Sequence, residues 1–156
     1  VLIRLVAAGT RMPAWVTAGY GEYATRIGGE VRLELVEIPV AHRGRNADLA
    51  RLLEAEGQRM LSRVDARQFV VALEVGGRGL DTPGLAAWLQ RRLAEGRDLA
   101  LLVGGPDGLA AACRERADFT WSLSPLTFPH GLVRIMVAEQ LYRALSVLRG
   151  HPYHRA

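Results

Sequence analysis

The sequence predicts one α/β domain over residues 1–156, with a mainly parallel sheet and helices on both of its faces. Three observations carry this. Five short runs rich in aliphatic residues alternate with segments of helical period. One of these runs, Leu99 to Val103, is wholly apolar, as a central parallel strand covered on both faces must be. No repeat, low-complexity stretch or linker divides the chain. At 49% hydrophobic and 23% charged residues, the composition is that of a globular domain and not of a disordered or fibrous chain.

The elements follow in order. Leu2 to Ala8 reads as the first strand. Pro13 then sits just inside a helix that runs to about Ile27 and stops at Gly28-Gly29. Val31 to Ile38 alternates in part, with Val31, Leu33 and Leu35 against Arg32 and Glu34, and reads as the second strand. Asn46 is the expected cap of the next helix, whose apolar stripe is Leu49, Leu52, Leu53, Met60 and Leu61. Phe69 to Val75 is the third strand. Thr82-Pro83 opens a helix that Gly96 closes. After the fourth strand, Gly108 begins a short helix, and Phe119 to Leu123 is the fifth strand. The last helix, about Gly131 to Arg149, is apolar over much of its circumference, from Leu132 and Val133 to Leu145 and Leu148. A helix of that kind must be covered on more than one side, so a subunit interface is expected.

Charge is unevenly spread. All 20 basic residues are Arg, and 16 of them lie in residues 1–118 with 15 of the 16 acids. Residues 119–156 hold Arg134, Arg143, Arg149 and Arg155 against Glu139 alone, so a polyanionic partner is expected at this end. No apolar run is long enough to cross a bilayer, and the first, broken by Arg4, reads as a strand and not as a leader. The single cysteine, Cys113, fits a reducing compartment, so a cytoplasmic location is expected.

Four segments could carry chemistry. In Gly104-Gly105-Pro106-Asp107-Gly108 a buried strand runs into a glycine-rich turn. In open α/β sheets ligands bind beyond the carboxyl ends of strands, although the same residues also suit an ordinary tight turn. Trp121 to His130 is too rich in proline to continue a strand and too apolar for a plain surface loop, so it packs on its own domain or on a ligand such as adenine. His151-Pro152-Tyr153-His154-Arg155 gathers groups suited to stacking on a base and contacting phosphate. Its two histidines lack a neighbouring Cys or acid, so no metal site is expected. His42 to Asn46 is a basic loop that either holds phosphate or is simply solvated. The first strand is not followed by G-x-G-x-x-G, which disfavours a dinucleotide or flavin domain, and without lysine there is no P-loop.

Taken in order, these segments resemble the SPOUT-class methyltransferases that act on N3 of a pseudouridine in 23S ribosomal RNA, the RlmH type. The resemblance runs nearly end to end. It includes Leu5 to Pro13, Glu37-Ile38-Pro39, Arg43 to Asp48, Gly104 to Gly108, Trp121 to Ser124, Leu141 to Ala144 and the closing His151 to Arg155. It implies an α/β fold with a C-terminal trefoil knot, a homodimer, S-adenosylmethionine as methyl donor without a metal, and helix 69 of the rRNA in assembled ribosomes as substrate. Neither a membrane nor DNA is an expected partner. The implied donor site is Leu73, Gly104 and Gly105, with Leu123, Ser124, Pro125, Leu126, Thr127 and Phe128. N3 of a uracil-type ring must lose a proton, so a base or an anion-stabilising donor is expected. His154 is the candidate base, Arg155 and Arg143 the candidate cations, and Tyr153 the stacking platform. The competing expectation is a non-catalytic ribosome-binding module on the same fold, for which a ruined Gly104-Gly105 turn would be the mark.

Overall fold

In the computed structural model, which describes residues 1–155, a five-stranded parallel sheet has the order β2-β1-β4-β3-β5. The strands are β1 (Leu2–Ala8), β2 (Arg32–Ile38), β3 (Phe69–Gly79), β4 (Leu99–Val103) and β5 (Phe119–Ser122). The helices are α1 (Ala14–Ala24), α2 (Leu49–Leu61), α3 (Thr82–Glu95), α4 (Ala111–Arg116) and α5 (His130–Arg149), and a 3-10 turn at Pro152–Arg155 follows.

β4 lies at the centre, and all five of its residues are buried. Side-chain alternation divides the core between the two faces. Ile3, Leu5 and Ala7 of β1 join Leu99, Leu101 and Val103 of β4 against Leu85, Trp88 and Leu89 of α3 and Val137, Leu141 and Leu145 of α5. On the other face, Val6, Val70, Ala72, Ala100 and Leu102 pack on Met60 of α2 and Ala110 and Cys113 beside and within α4.

Some local expectations need correction. The cap of α2 is Asp48, whose carboxylate accepts the Arg51 N–H at 3.2 Å; Asn46 stands in the preceding turn. The short helix begins at Ala111 and not at Gly108, because Gly108 (φ +79°) belongs to the turn after β4. β3 continues past Val75 to Gly79. Residues 74–77 bulge away, and Arg78 and Gly79 pair again with Trp121 and Ser122. Thr82-Pro83 and Gly96 bound α3 as expected. Asp81 caps it from outside, and Gly96 closes it in the left-handed conformation (φ +68°).

The breadth of apolar surface on α5 is largely explained within the chain. α1 packs on one side of it and α3 on another. At Gly131 an added Cβ would lie 3.1 Å from Val16 of α1, so the two helices approach closely. Leu132, Val133, Ile135 and Met136 remain half-buried.

Three of the four arginines near the C-terminal end are bonded within the protein, two of them to carboxylates. Arg134 is 2% exposed and donates to Glu37 at 2.7 Å, to the Gly9 carbonyl at 2.7 Å and to the Ala8 carbonyl at 3.3 Å. Arg143 pairs with Glu139, and Arg149 donates to the Gly28 carbonyl.

Candidate functional site

The carboxyl ends of β3, β4 and β5 surround a cavity of about 510 Å³, a size suited to a nucleoside-sized ligand. Leu73, Glu74 and Val75 form one wall, and Val103 with Gly104, Gly105, Pro106 and Gly108 forms the floor. Trp121, Leu123, Ser124, Leu126, Thr127, Phe128 and Pro129 wrap the third side, and His130 and Val133 close it from α5.

The floor is a turn that only glycine can make. The Gly108 N–H donates to the Gly105 carbonyl at 3.1 Å, and the two residues form a β-bridge. A Cβ on Gly104 would stand 2.4 Å from the Gly108 carbonyl carbon. A Cβ on Gly105 would instead meet Ala8, Val40 and Glu56 at 3.5 to 3.7 Å, at ordinary contact. Neither Gly104 nor Gly105 has positive φ; Gly108 does. Gly104 thus admits the turn, and Gly105 only completes it.

The wall after β5 is held by its serines. Ser122 Oγ donates to the Ser124 carbonyl at 2.9 Å, and Ser124 Oγ accepts the Leu126 N–H at 3.0 Å. These bonds let a strand end turn sharply without leaving its polar groups unmatched. Leu126 is 68% and Val75 47% exposed, although both are large and apolar. Both line the cavity, so a ligand with an apolar face would cover surface that water now covers.

The basic loop locks onto this floor. Arg43 donates to Asp107 at 2.9 Å, to the buried Glu56 at 3.3 Å and to the Ala41 carbonyl at 2.9 Å. Its charge is committed inside the protein, whereas His42 and Arg45 in the same loop are exposed.

His130 is the only imidazole among the cavity-lining residues. Burial, and next the charge of Arg134, hold it below the ordinary histidine value, so it is neutral at neutral pH.

Of the residues expected at a donor site, Leu73, Gly104, Gly105, Leu123, Ser124, Leu126, Thr127 and Phe128 all line the cavity. Pro125 does not; it is exposed at the bend of the loop. Trp121 and His130, the ends of the segment expected to pack on its own domain or on a ligand, line it as well. Glu74 and Val133 line it without having been singled out; their sequence signal was position alone.

The candidate catalytic residues lie elsewhere in this subunit. Arg143 is ten residues beyond Val133 on α5, about 15 Å along the helix axis. The Tyr153 hydroxyl donates to Glu139 at 3.0 Å, its ring lies 4.6 Å from that of Tyr142, and the Arg143 guanidinium stands 4.9 Å from its centre. Burial first, and then the Glu139 carboxylate, push the Tyr153 hydroxyl up to about 12, so it donates and does not ionise. His154 is half-buried, and its Nδ1 has no partner among the described residues. Arg155 is exposed. The structure therefore brings Tyr153 and Arg143 together, while none of the four lines the cavity. Among the described residues no three His, Cys, Asp or Glu side chains cluster to hold a metal.

Comparison with known proteins adds to this geometry. The chain is 61% identical over 154 residues to "Ribosomal RNA large subunit methyltransferase H" of Alkalilimnicola ehrlichii, covering 99% of both chains. It is 60% identical over 153 residues to the protein of that name from Thioalkalivibrio sulfidiphilus, covering 98% of both. A crystal structure of a probable methyltransferase from Bordetella pertussis Tohama I shares the fold, with a TM-score of 0.54 at 19% identity over 92% of this chain and 95% of that one. The profile of the family described as "Predicted SPOUT methyltransferase" matches residues 1–154. With a parallel α/β sheet, a cavity at its strand ends and this match along its length, the chain belongs to the SPOUT methyltransferase family.

Proposed function

We propose that this protein methylates the RNA of the large ribosomal subunit, taking the methyl group from S-adenosylmethionine and placing it on N3 of a pseudouridine in helix 69 of 23S rRNA. One observation carries the reading: the family's strand-end turn and the loop after β5 are both intact and enclose a nucleoside-sized cavity. A non-catalytic module would have no use for it. The near-full-length identity to the large-subunit rRNA methyltransferases named above supports the choice of RNA.

The residues present fit the donor. Leu73, Leu123 and Leu126 offer apolar faces to an adenine, and the tight turn that Gly104 permits lays backbone amides and carbonyls along the cavity floor. When bound, the donor supplies an electrophilic methyl on a sulfonium. The protein's own task is to hold the acceptor nitrogen in line and to manage its proton.

The groups for that second task are Tyr153, His154, Arg155 and Arg143, with His154 as base and the arginines stabilising the deprotonated ring. Their distance from the cavity in their own subunit supports a homodimer in which they serve the partner's cavity. The half-buried Leu132, Ile135 and Met136 of α5 are apolar surface for such a contact. The trefoil knot belongs to the same proposal. It is supported by the path of the chain, which leaves the sheet edge at β5 and returns as α5 to pack on α1, α3 and β4. A cytoplasmic site of action follows from a ribosomal substrate, and no described helix is long and apolar enough to cross a membrane.

The test is mass spectrometry of rRNA from ribosomes lacking the modification, after incubation with the protein and donor. One added methyl on the helix 69 fragment is expected. Unmodified rRNA, with a donor-binding protein in the tube, would reject the assignment.

A further inference from the structure

Glu74 is the only carboxylate among the cavity-lining residues. It is the first residue of the bulge at 74–77, so its backbone is released from the pairing that ties Leu73 to Trp121. It stands where β3 first leaves its pairing with β5, beside the cavity. Its Oε1 is buried and accepts no hydrogen bond among the described residues. The nearest cation, Arg114, is 3.6 Å from Oε1, and that same nitrogen donates to the Leu109 carbonyl. Arg114 therefore stands beside Oε1 without donating a hydrogen bond to it. The side chain is 27% exposed and lines the cavity, so Oε2, and not the buried Oε1, is the oxygen open to a ligand. A carboxylate is an acceptor, and the only one lining a largely apolar cavity selects a ligand that brings donors.

We infer that Glu74 is a ligand-binding residue that accepts hydrogen bonds from the vicinal 2′- and 3′-hydroxyls of a ribose. This deepens the methyltransferase reading and rests on it. The chemistry favours a diol. Two adjacent hydroxyl donors can share the carboxylate's second oxygen, Oε2, since the protein closes off Oε1, and Leu73, the preceding residue, lies on the apolar wall proposed for the base. Glu74 then selects ribonucleoside ligands over deoxyribonucleoside ones, while the apolar walls and glycine backbone hold the rest of the molecule.

The test is calorimetry with three ligands: S-adenosylmethionine, S-adenosylhomocysteine, and an S-adenosylhomocysteine analogue lacking both ribose hydroxyls. It uses the full-length protein and Glu74→Gln, a substitution of equal size at a partly exposed position. Wild type is expected to bind the analogue roughly ten- to a hundred-fold more weakly than S-adenosylhomocysteine, the range for hydrogen bonds to a charged group. Glu74→Gln should lose a similar factor on both natural ligands and match wild type on the analogue. Equal wild-type affinity for the analogue and the natural product would overturn the inference, and needs no variant. So would a Glu74→Gln defect that persists in full on the analogue. A defect confined to S-adenosylmethionine would place Glu74 at the sulfonium instead, and would overturn the diol assignment. If wild type binds none of the three ligands, the methyltransferase reading of the cavity itself fails. If it binds them and Glu74→Gln has no effect, only the role of Glu74 falls.

Discussion

Gly104 and Gly105 are neighbours of the same residue type, and the structure gives them opposite tolerance to a side chain. A methyl group on Gly104 would stand 2.4 Å from the Gly108 carbonyl carbon, 2.5 Å from its oxygen and 2.8 Å from the Leu109 nitrogen. Ordinary contact begins near 3.4 Å, so the overlap is about 1 Å against three atoms that cannot rotate away. The turn must open. That strains the Gly108 N–H to Gly105 carbonyl bond and displaces Leu109, which is 2% exposed. Overpacking costs about 1–3 kcal/mol where side chains can adjust, and a backbone conflict belongs at the top of that range. Gly104→Ala should therefore cost about 3 kcal/mol, a fall in Tm of roughly 6–12 °C for a chain of this length. Gly105→Ala meets only ordinary contacts and should stay within about 0.5 kcal/mol of wild type. Thermal unfolding by circular dichroism, with S-adenosylhomocysteine titration on each folded variant, makes the comparison. A Gly104→Ala protein as stable as wild type, or a Gly105→Ala protein that is the less stable of the two, would refute this account of the turn.

Three further outcomes follow from the same geometry. Folding lowers the His130 value below 6.5, so its contribution to stability is intact above that pH and declines as pH falls through the folded value. Denaturant titrations at about pH 8 and about pH 5 should show a smaller pH-dependent loss for His130→Gln than for wild type; parallel losses would contradict the shift. Burial, with Glu56 adding to it, pushes the Cys113 thiol up to about 11 in a fully buried position, so labelling by a thiol reagent at neutral pH should follow the unfolding transition. Rapid labelling of the native protein would show that α4 opens locally. Deleting residues 153–156 should leave the fold and donor binding intact while methylation falls roughly a hundred-fold or more. Higher pH should partly restore His154→Ala and not Arg155→Ala, and a truncated enzyme of wild-type rate would take the tail out of the reaction.

Much of the candidate site was legible because it depends on local backbone chemistry. A wholly apolar run entering Gly-Gly-Pro-Asp-Gly announces a buried strand that ends in a constrained turn, and the serines after β5 hold their loop through bonds to the next few residues. Glu74 was not legible. It became a cavity residue through the side-by-side placement of β3, β4 and β5, which only the order of the sheet decides. The arginine excess of residues 119–156 was legible as a count, but not which of its charges are paired, as Arg134 is with Glu37 and Arg143 with Glu139.

By itself the sequence determined the periodic features: five strands, the helices between them, the helix closed at Gly96, and a central strand buried on both faces. Those follow from side-chain period and capping, which act over a few residues. The tertiary structure alone decided that β5 lies outside β3, that Arg134 meets Glu37 across 97 residues of chain, and that the tail docks on Glu139 and Tyr142, roughly 9–14 Å along α5 from the cavity. These are long-range pairings, in which a charge or an aromatic ring finds the complement that folding brings beside it. No local pattern encodes which complement that will be.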